Sequence, residues 1–467
     1  RAVNGNQQSS IGSVTPGAEL WAFMPPQFFP SIKRLRDNSP QVNFPNVTTP
    51  GVLPKPYGMD GPITSYPGST TTSIYATMRR GGRMLYAFAM QNSDPSNITL
   101  SWAVGCMTDT SCSSGFSGIG QTWSPAKILK ASYNSGTAPL LIMGGGYDTC
   151  EDADPNNCTS SSKGSQIYVL DASSGALLKT LKTDRSVAAE VVVVPDSTTG
   201  LAKLAYAADL GGNIYRINIG TDNPANWTIT KIASLGCSTT ASCQANRKFL
   251  FAPDVLESNG EYSLLIGSGD REKPLLYYTS ASSVKNYFFM LRDKPSDGNW
   301  LKAESTTCGA EVICLGSLLA ITTSATPSAA DLGLKKGWYL GLAPTEQVVT
   351  SAITIFGIVT FSTQTPDVLQ AGVCNSRLGT ARVYNISYDN AASRKGYPDR
   401  SEPLPDDTGL PPSPVAGTVV LDSQSGKEIA FCIGCSASSA IEAGEATVPV
   451  TTMPNEPKGR VYWYIQR

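Results

Sequence analysis

The stretch QIYVLDASSGALL, residues 166–178, carries the pattern that decides the fold. After Gln166, an apolar residue, Ile167, is followed by an aromatic one, Tyr168. Apolar positions then alternate, and an Asx/Gly turn leads into a further apolar segment. Short runs rich in β-branched and aromatic residues, bounded by turn residues, are typical of β-strands. The stretch therefore predicts two strands joined by a turn.

The same apolar–aromatic pattern recurs along the whole chain at irregular separations. Repeats of about 40–50 residues with four strands each are typical of β-propellers, and insertions lengthen single blades. Helical periodicity is confined to short stretches near residues 30–36 and 331–336. The recurrences are ELWAFMPP (19–26), MLYAFAM (84–90), NIYRINIG (213–220), PLLYYTSA (274–281), ARVYNISYDNAA (381–392) and RVYWYIQ (460–466).

These patterns predict an all-β fold, a modified β-propeller of about seven irregular blades with long disulfide-closed loop insertions. A pair of β-sandwiches is the alternative. No boundary divides the chain, so residues 1–467 are assigned to a single β-propeller domain. The longest apolar run, SAITIFGIVTFS (351–362), is too short and too interrupted to span a membrane, and we expect it to form a buried strand.

The composition excludes several classes of function. The chain has no histidine, which removes the commonest general base and metal ligand, and with them serine triads, Cys–His nucleophiles and HExxH zinc sites. A net charge of -1 argues against nucleic acid as a partner, because such binding needs a basic face. The basic clusters Lys33–Arg36 and Arg79-Arg80 are short and are expected to be solvated surface. We predict no catalytic residues.

Eleven cysteines indicate an oxidising compartment, because ten of them fall into close pairs that can each clip a loop or hairpin. Cys374 is left over and is expected to be a buried free thiol, with a link to a missing segment or to a partner as the alternative. The predicted pairs are Cys106/Cys112, Cys150/Cys158, Cys237/Cys243, Cys308/Cys314 and Cys432/Cys435.

An acidic loop offers candidate calcium ligands. Its residues 152, 154 and 156 have the spacing that begins a calcium-binding loop, although Asn157 replaces the usual glycine and Lys163 the closing glutamate. A solvated acidic turn closed by a disulfide is the alternative. The expected cofactor is therefore none, or one calcium ion. The candidate ligands are Asp148, Glu151, Asp152, Asp154 and Asn156.

A second charged stretch follows a predicted strand. Asp270 and Glu272 offer paired carboxylates for acid–base chemistry, but the adjacent Arg271 and Lys273 favour an ion cluster on the surface. The strings Gly144–Gly146 and Gly211-Gly212 precede no helix, so they are interpreted as turns rather than as phosphate-binding loops.

Several strings, in their order along the chain, resemble one family across almost its whole length: the C-terminal propeller domain of the PilY/PilC family of type IV pilus biogenesis factors and tip adhesins. The strings include AELWAFMPPQFFPSIKRL (18–35), MRRGGRMLYAFAM (78–90), LLIMGGGYDTCED (140–152), QIYVLDASSGALL (166–178), YAADLGGNIYRINI (206–219), LLIGSGDREKP (264–274), GTARVYNI (379–386) and GRVYWYI (459–465).

The resemblance implies a modified propeller that is the C-terminal part of a longer parent protein. It implies a non-catalytic role in type IV pilus assembly, opposing retraction together with minor pilins at the pilus tip. It also implies adhesion to a host-cell or abiotic surface receptor, a link to virulence, and an extracellular location at the pilus tip or outer-membrane surface, with the periplasm in transit. Loops 106–120 and 148–164 are the expected adhesive surface.

Members of this family often carry a calcium loop of the form Asp-x-Asp-x-Asp-Gly-x-x-Asp. The matching stretch here is PDSTTGLAK (195–203), in which Gly200 is kept, Asp196 is one place out of register and Lys203 occupies a ligand position. An ammonium group repels a cation, so this loop is predicted to bind no calcium.

Two other functions remain as alternatives. A quinoprotein-like dehydrogenase would share the fold, but the chain lacks the adjacent cysteine pair that many such enzymes place against the quinone. A lectin-type sugar-binding propeller would use exposed aromatic rings, but regular repeats with one site per blade would then be expected.

Overall fold

The structure is a computed structural model in which strands dominate, and the predicted all-β class is confirmed. No helix in the part of the chain that it describes is long and apolar enough to cross a bilayer. The residues described are 1–43, 50–134, 136–156, 158, 163–220, 223–237, 245–321, 325–367, 379–394, 396–405, 409–420 and 428–435. Cys243, Cys374 and the recurrence at 460–466 lie outside them.

The chain divides into two compact units. The first comprises Arg1–Glu151, Cys158–Asp209 and Arg216–Thr230, and the second comprises Asp152–Asn157, Leu210–Tyr215 and Lys231–Arg467. The assignment of residues 1–467 to one domain stays a prediction.

The first unit begins with short elements. Strands β1 and β2 pair antiparallel, a nine-residue helix α1 follows, and β3 and β4 pair in parallel. Their bounds are β1 (Ala2–Val3), β2 (Glu19–Trp21), α1 (Phe29–Asp37), β3 (Val42–Asn43) and β4 (Leu53–Pro54).

Three four-stranded sheets follow, and in each of them the strands lie in chain order. Four strands in chain order, each antiparallel to the next, are the arrangement of a propeller blade. The sheets are β5 (Ile63–Pro67), β6 (Thr71–Ala76), β7 (Arg83–Gln91) and β8 (Asp94–Cys106); β9 (Lys127–Leu129), β10 (Leu140–Gly144), β11 (Gln166–Asp171) and β12 (Leu177–Lys182); and β13 (Val192–Pro195), β14 (Ala202–Ala208), β15 (Asn213–Asn218) and β16 (Thr228–Ser234).

The second unit holds two larger sheets and a hairpin. One sheet has the strand order β17-β18-β19-β21-β20, in which β20 is parallel to β21. The other has the order β22-β24-β25-β26, and β23 also pairs antiparallel with β24. The elements are β17 (Asp254–Ser258), β18 (Glu261–Gly267), α2 (Thr279–Ser283), β19 (Tyr287–Asp293), α3 (Ser305–Cys308), β20 (Leu319–Ile321), α4 (Ala329–Gly333), β21 (Gly337–Gly341), β22 (Gln347–Val348), β23 (Ile353–Ile355), β24 (Ile358–Thr365), β25 (Thr380–Ser387), β26 (Ser401–Pro403), and the hairpin β27 (Val415–Val420) and β28 (Glu428–Ile433).

The deciding stretch forms the expected strand pair, β11 and β12. At its turn, the Asp171 carboxylate accepts hydrogen bonds from the amides of Ser173 (3.0 Å) and Ser174 (2.8 Å), an Asx turn. Gly175 closes the turn with φ +72°, and a Cβ there would lie 2.6 Å from the Trp102 ring. This turn therefore requires glycine both for its backbone conformation and for space.

Alternate residues of the central strand β11 pack into two different hydrophobic clusters, one on each face of its sheet. On β11, Ile167 and Val169 join a cluster with residues of β14, while Tyr168 and Leu170 join one with residues of β7. The second sheet is therefore packed on both faces, which explains why its central strands are apolar throughout. In the second unit, Phe288 and Phe361 stack at 3.8 Å between ring centroids and join its two sheets.

Two details differ from expectation. Residues 351–362 form a hairpin rather than a single buried strand, because β23 and β24 pair across a turn at Phe356 and Gly357, both with positive φ. The described residues form five sheets of four or five strands. The count of about seven blades stays a prediction.

Candidate functional site

The first cystine-closed loop begins where β8 ends. Cys106 is bonded to Cys112, and two backbone hydrogen bonds narrow the loop, from Met107 to Ser111 (2.9 Å) and from Ser113 to Gly105 (2.7 Å). Residues 107–111 between the cysteines are exposed. The loop thus has a short exposed tip, residues 107–111, and a base that the disulfide closes.

The base of this loop belongs to the core of the first unit. Phe116 and Ile119 are buried, and the Phe116 ring stacks on Tyr168 with 4.9 Å between centroids. At the tip, the Arg83 guanidinium lies 2.8 Å from the exposed Asp109 carboxylate. Packing and a cross-link therefore restrict the conformations that the loop can adopt.

In the first unit, the acidic loop is held by the protein itself. Asp148 is buried, and its carboxylate accepts hydrogen bonds from the amides of Cys150 (3.2 Å) and Lys163 (3.0 Å). Glu151 is fully buried and forms an ion pair with Arg185. The cluster of Cys150, Glu151 and Cys158 resembles a metal site, but its two sulfurs form a disulfide and so are not thiolate ligands.

The remaining candidate ligands belong to the second unit. Asp152 is exposed. The Asp154 carboxylate accepts hydrogen bonds from the amides of Ser280 (3.0 Å) and Ala281 (2.9 Å) in the first turn of α2. The Asn156 amide donates to Asn246 Oδ1 (3.3 Å). Asp148, Glu151 and Asp154 thus all have protein donors or cations on their carboxylates, while calcium binding by this loop stays a prediction.

The turn at 195–203, which the family resemblance matched to a calcium loop, connects β13 and β14. The Asp196 carboxylate accepts hydrogen bonds from the amides of Thr198 (3.1 Å) and Thr199 (2.9 Å) and from the Thr199 hydroxyl (3.0 Å). These bonds, chiefly those from Thr199, hold the pKa of Asp196 below its usual value. Gly200 has φ +68° and Lys203 is exposed. A single carboxylate that closes its own turn does not fit a calcium ion, which needs six to eight oxygens.

A buried ion cluster occupies the second unit, at the stretch expected to be a surface cluster. The Asp270 Oδ2 atom lies 2.9 Å from Lys248 Nζ and 3.2 Å from Lys273 Nζ, and all three side chains are at most 10% exposed. The expectation for Asp270 and Lys273 was therefore wrong: packing of distant segments buries them. Arg271 donates to the carbonyls of Val349 and Pro411, which ties it to the fold as well.

Burial and charge act against each other in this cluster. Burial opposes ionisation of Asp270, but the two neighbouring ammonium groups outweigh it and hold the pKa of Asp270 below its usual value. Burial lowers the pKa of Lys273, and the Asp270 carboxylate only partly offsets that effect. The carboxylate is thus a counter-charge that keeps two cations inside the protein, rather than a general base.

A cavity of about 20 Å³ adjoins the cluster, lined among others by Asn246, Asn286 and Gln347. Such a volume holds about one water molecule and lies far below the roughly 300–1,000 Å³ of cofactor sites. The amide groups around it are engaged: Gln347 accepts from the Asp270 amide (2.8 Å), and Asn246 donates to Leu210 O (2.8 Å). The arrangement stabilises the fold and offers no space for a quinone.

Disulfides also form at Cys308–Cys314 and Cys432–Cys435, as the cysteine spacing predicted. Cys243, which is the predicted partner of Cys237, lies outside the described residues, and so does the leftover Cys374. Sequence reasoning missed Lys248, the third member of the ion cluster, because it lies 22 residues before Asp270. Its local signal is a run of Asn, Arg and Lys at 246–248, directly before the apolar residues 249–251.

Residues 59–249 match the family model described as the PilY1 beta-propeller domain. The predicted resemblance to this family is confirmed. Type IV pilus biogenesis factor PilY1 of Pseudomonas aeruginosa is 25% identical over 225 residues, which cover 46% of this chain and 17% of the relative. PilY1 of a second strain is 26% identical over 216 residues, 44% of this chain and 16% of the relative. The match thus spans about a sixth of the relatives' length.

The crystal structure of the Pseudomonas aeruginosa PilY1 C-terminal domain extends the comparison to nearly all of the chain. It matches with a TM-score of 0.57 and 16% identity, covering 92% of this chain and 90% of that one. At that identity the match establishes the fold alone. The modified propeller predicted from the sequence is thereby confirmed. Part of the chain is similar in sequence to type IV pilus biogenesis factors.

Proposed function

We propose that this chain is a non-catalytic binding domain that supports type IV pilus assembly, acting with minor pilins at the pilus tip and opposing retraction. The match of residues 59–249 to the PilY1 propeller family carries the proposal. The fold of the PilY1 C-terminal domain over 92% of the chain supports it. The corresponding location is the pilus tip or the outer-membrane surface, reached through the periplasm.

A binding role agrees with the chemistry of the described residues. The chain has no histidine, and three of its buried carboxylates, Asp148, Asp270 and Glu346, accept hydrogen bonds or ion pairs from the protein. The Tyr384 hydroxyl donates to Glu346 (3.0 Å), and burial raises its pKa, so this tyrosine remains protonated. Groups engaged in this way stabilise the fold instead of exchanging protons with a substrate.

Adhesion is proposed for the cystine-closed loops at 106–120 and 148–164, with a receptor on a host cell or an abiotic surface. The first of them joins an exposed polar tip to a buried base through Cys106–Cys112 and Phe116. Rigid loops lose little conformational entropy on binding, which favours multi-point capture by such a surface.

Calcium independence of the 195–203 turn is the third part of the proposal. Its carboxylate Asp196 holds its own turn, and Lys203 stands where the family motif has a ligand. If the chain binds one calcium ion at all, the acidic loop at 148–156 is the proposed site.

The deciding experiment measures binding of the purified chain to purified minor pilins, in calcium and in chelator. Saturable binding that is equal in both conditions supports the assembly role and the calcium-free turn. If chelator abolishes binding, the assembly role is supported, and the required calcium is assigned to the acidic loop at 148–156. No binding in either condition overturns the pilin partnership.

Adhesion is tested separately on a cell or abiotic surface. Replacing Thr108, Asp109 and Thr110 by alanine should reduce adhesion several-fold, because these side chains form the exposed tip. The matched control is Thr99→Ala with Ser101→Ala, two exposed residues on β8. Equal adhesion by both variants would exclude the 106–120 loop as the contact surface.

A further inference from the structure

Helix α1 presents bulky apolar side chains to solvent instead of to a core. Phe29, Ile32 and Leu35 are 56%, 47% and 50% exposed, and no residue of the helix is buried. Residues spaced by three positions share one side of an α-helix, so these side chains form a single stripe. A contiguous exposed apolar stripe of this kind marks an interaction surface.

The stripe is held in a fixed position next to β4. The Arg34 guanidinium donates to the carbonyls of Leu53 (2.6 Å), Pro54 (2.7 Å) and Pro40 (3.1 Å), which ties the strand beside the helix. Leu53 is itself 50% exposed and extends the apolar surface. Residues 29–37 and 53–55 together are called the α1 patch.

Cations flank the apolar side chains of the α1 patch. The side chains of Lys33 and Arg36 are 81% and 73% exposed, and Lys55 is exposed as well. The acidic residue of the patch, Asp37, contacts both Lys33 (3.1 Å) and Arg36 (2.7 Å). The patch holds four basic residues and one acidic residue, in a chain whose net charge is -1.

We infer that the α1 patch docks the protein on an anionic phospholipid surface. An exposed helix with Phe, Ile and Leu on one stripe and Lys and Arg beside it is the combination that lies in the headgroup region of a bilayer. Anionic headgroups attract each nearby cation, and a bilayer accommodates protruding side chains without a preformed groove. The partner is therefore a lipid surface, attracted by charge and held by the apolar stripe.

The test is cosedimentation of the full chain with vesicles. Vesicles of phosphatidylethanolamine and phosphatidylglycerol at a ratio of about 3:1 supply the anionic surface, and phosphatidylcholine vesicles supply the neutral one. We expect binding to the anionic vesicles, at least about fivefold weaker binding to the neutral ones, and a similar loss at about 0.5 M salt, where charges are screened.

Two variants separate the parts of the α1 patch. Phe29→Ser with Ile32→Ser removes two of the three apolar side chains of the stripe, and Lys33→Gln with Arg36→Gln removes two cations. Each variant should reduce binding about fivefold or more. The controls are Leu334→Ser, at a residue 84% exposed, and Lys302→Gln, also exposed, and both should bind like the unaltered chain. The two patch variants and the two controls all alter exposed side chains, so none of them should disturb the fold. An unchanged thermal unfolding midpoint checks this for each variant.

Three outcomes would overturn the inference: no binding to anionic vesicles, equal binding to neutral ones, or unchanged binding by both patch variants. Self-association in the ultracentrifuge that disappears in the Phe29→Ser/Ile32→Ser variant, without vesicle binding, would assign the patch to a protein partner instead. The experiment contains no pilin, so its failure leaves the proposed assembly function untouched.

Discussion

Two aspartates of this chain each lie between two basic side chains, in opposite surroundings. Asp37, on α1 in the first unit, contacts Lys33 and Arg36, whose side chains are 81% and 73% exposed. Asp270, in the second unit, contacts Lys248 and Lys273, whose side chains are 7% and 4% exposed. Each cluster joins one carboxylate to two cations, so the two have the same formal charge, whereas their burial is very different.

The difference shows that the contribution of an ion pair to stability depends on how far it is buried. Water solvates and screens the exposed cluster, so removing one partner changes little. In the buried cluster, solvation has been lost for all three groups, and the carboxylate is the counter-charge that makes the burial of two ammonium groups tolerable. Asp270 should therefore be a residue on which folding depends, whereas Asp37 should not.

The largest effect is expected for Asp270→Asn. The substitution keeps the shape but leaves two buried cations without their counter-charge, which should lower the free energy of unfolding by about 3–5 kcal/mol. Urea unfolding at pH 7 measures it, with Asp37→Asn as the matched control. Equal midpoints for the two variants would contradict the comparison.

The second prediction concerns acid pH. The pKa of Asp270 is lower in the folded chain than in the unfolded one, so the unfolded chain binds more protons and stability falls as the pH drops below about 5 toward the folded pKa. Asp270→Asn should flatten this dependence in urea unfolding between about pH 3 and 6. Part of the slope should remain, because hydrogen bonds also lower the pKa of Asp196. An unchanged slope would show that Asp270 does not carry it.

Lys273→Met should have a smaller effect, about 1–2 kcal/mol at pH 7 in either direction, because an apolar side chain of similar length replaces a buried cation and Lys248 still pairs Asp270. Burial lowers the pKa of Lys273, so the unaltered chain should gain stability as the pH rises toward the unfolded value of about 10.4. The variant should lack this gain when unfolding is compared at about pH 7 and 9.5. A gain in both would assign it to another group.

The smallest effect is expected for Asp37→Asn, whose thermal unfolding midpoint should move by less than about 1 °C. The same variant removes the acidic residue of the α1 patch. It should therefore bind anionic vesicles about twice as tightly as the unaltered chain, provided that the patch docks on lipid. A large loss of stability would instead mean that α1 is part of the core.

Local features were predictable because their causes lie within a few residues. The strand pair at 166–178 needs only its alternating apolar residues and the turn at Asp171 and Gly175. The disulfide Cys106–Cys112 likewise follows from its short spacing in the chain. The prediction for residues 351–362 was wrong because a buried strand and a tight hairpin share one apolar pattern. The positive φ at Phe356, which forms the turn, cannot be recognised from the sequence.

The sequence by itself determined the all-β class, the short cystine loops and the polar residues of the 195–203 turn, since each depends on neighbouring residues. Only the tertiary structure decided which charged and apolar side chains face water. Lys248 reaches Asp270 across 22 residues of chain, and Phe29 stays 56% exposed although it is a bulky apolar residue. Burial is a property of how distant segments pack, so no local pattern can specify it.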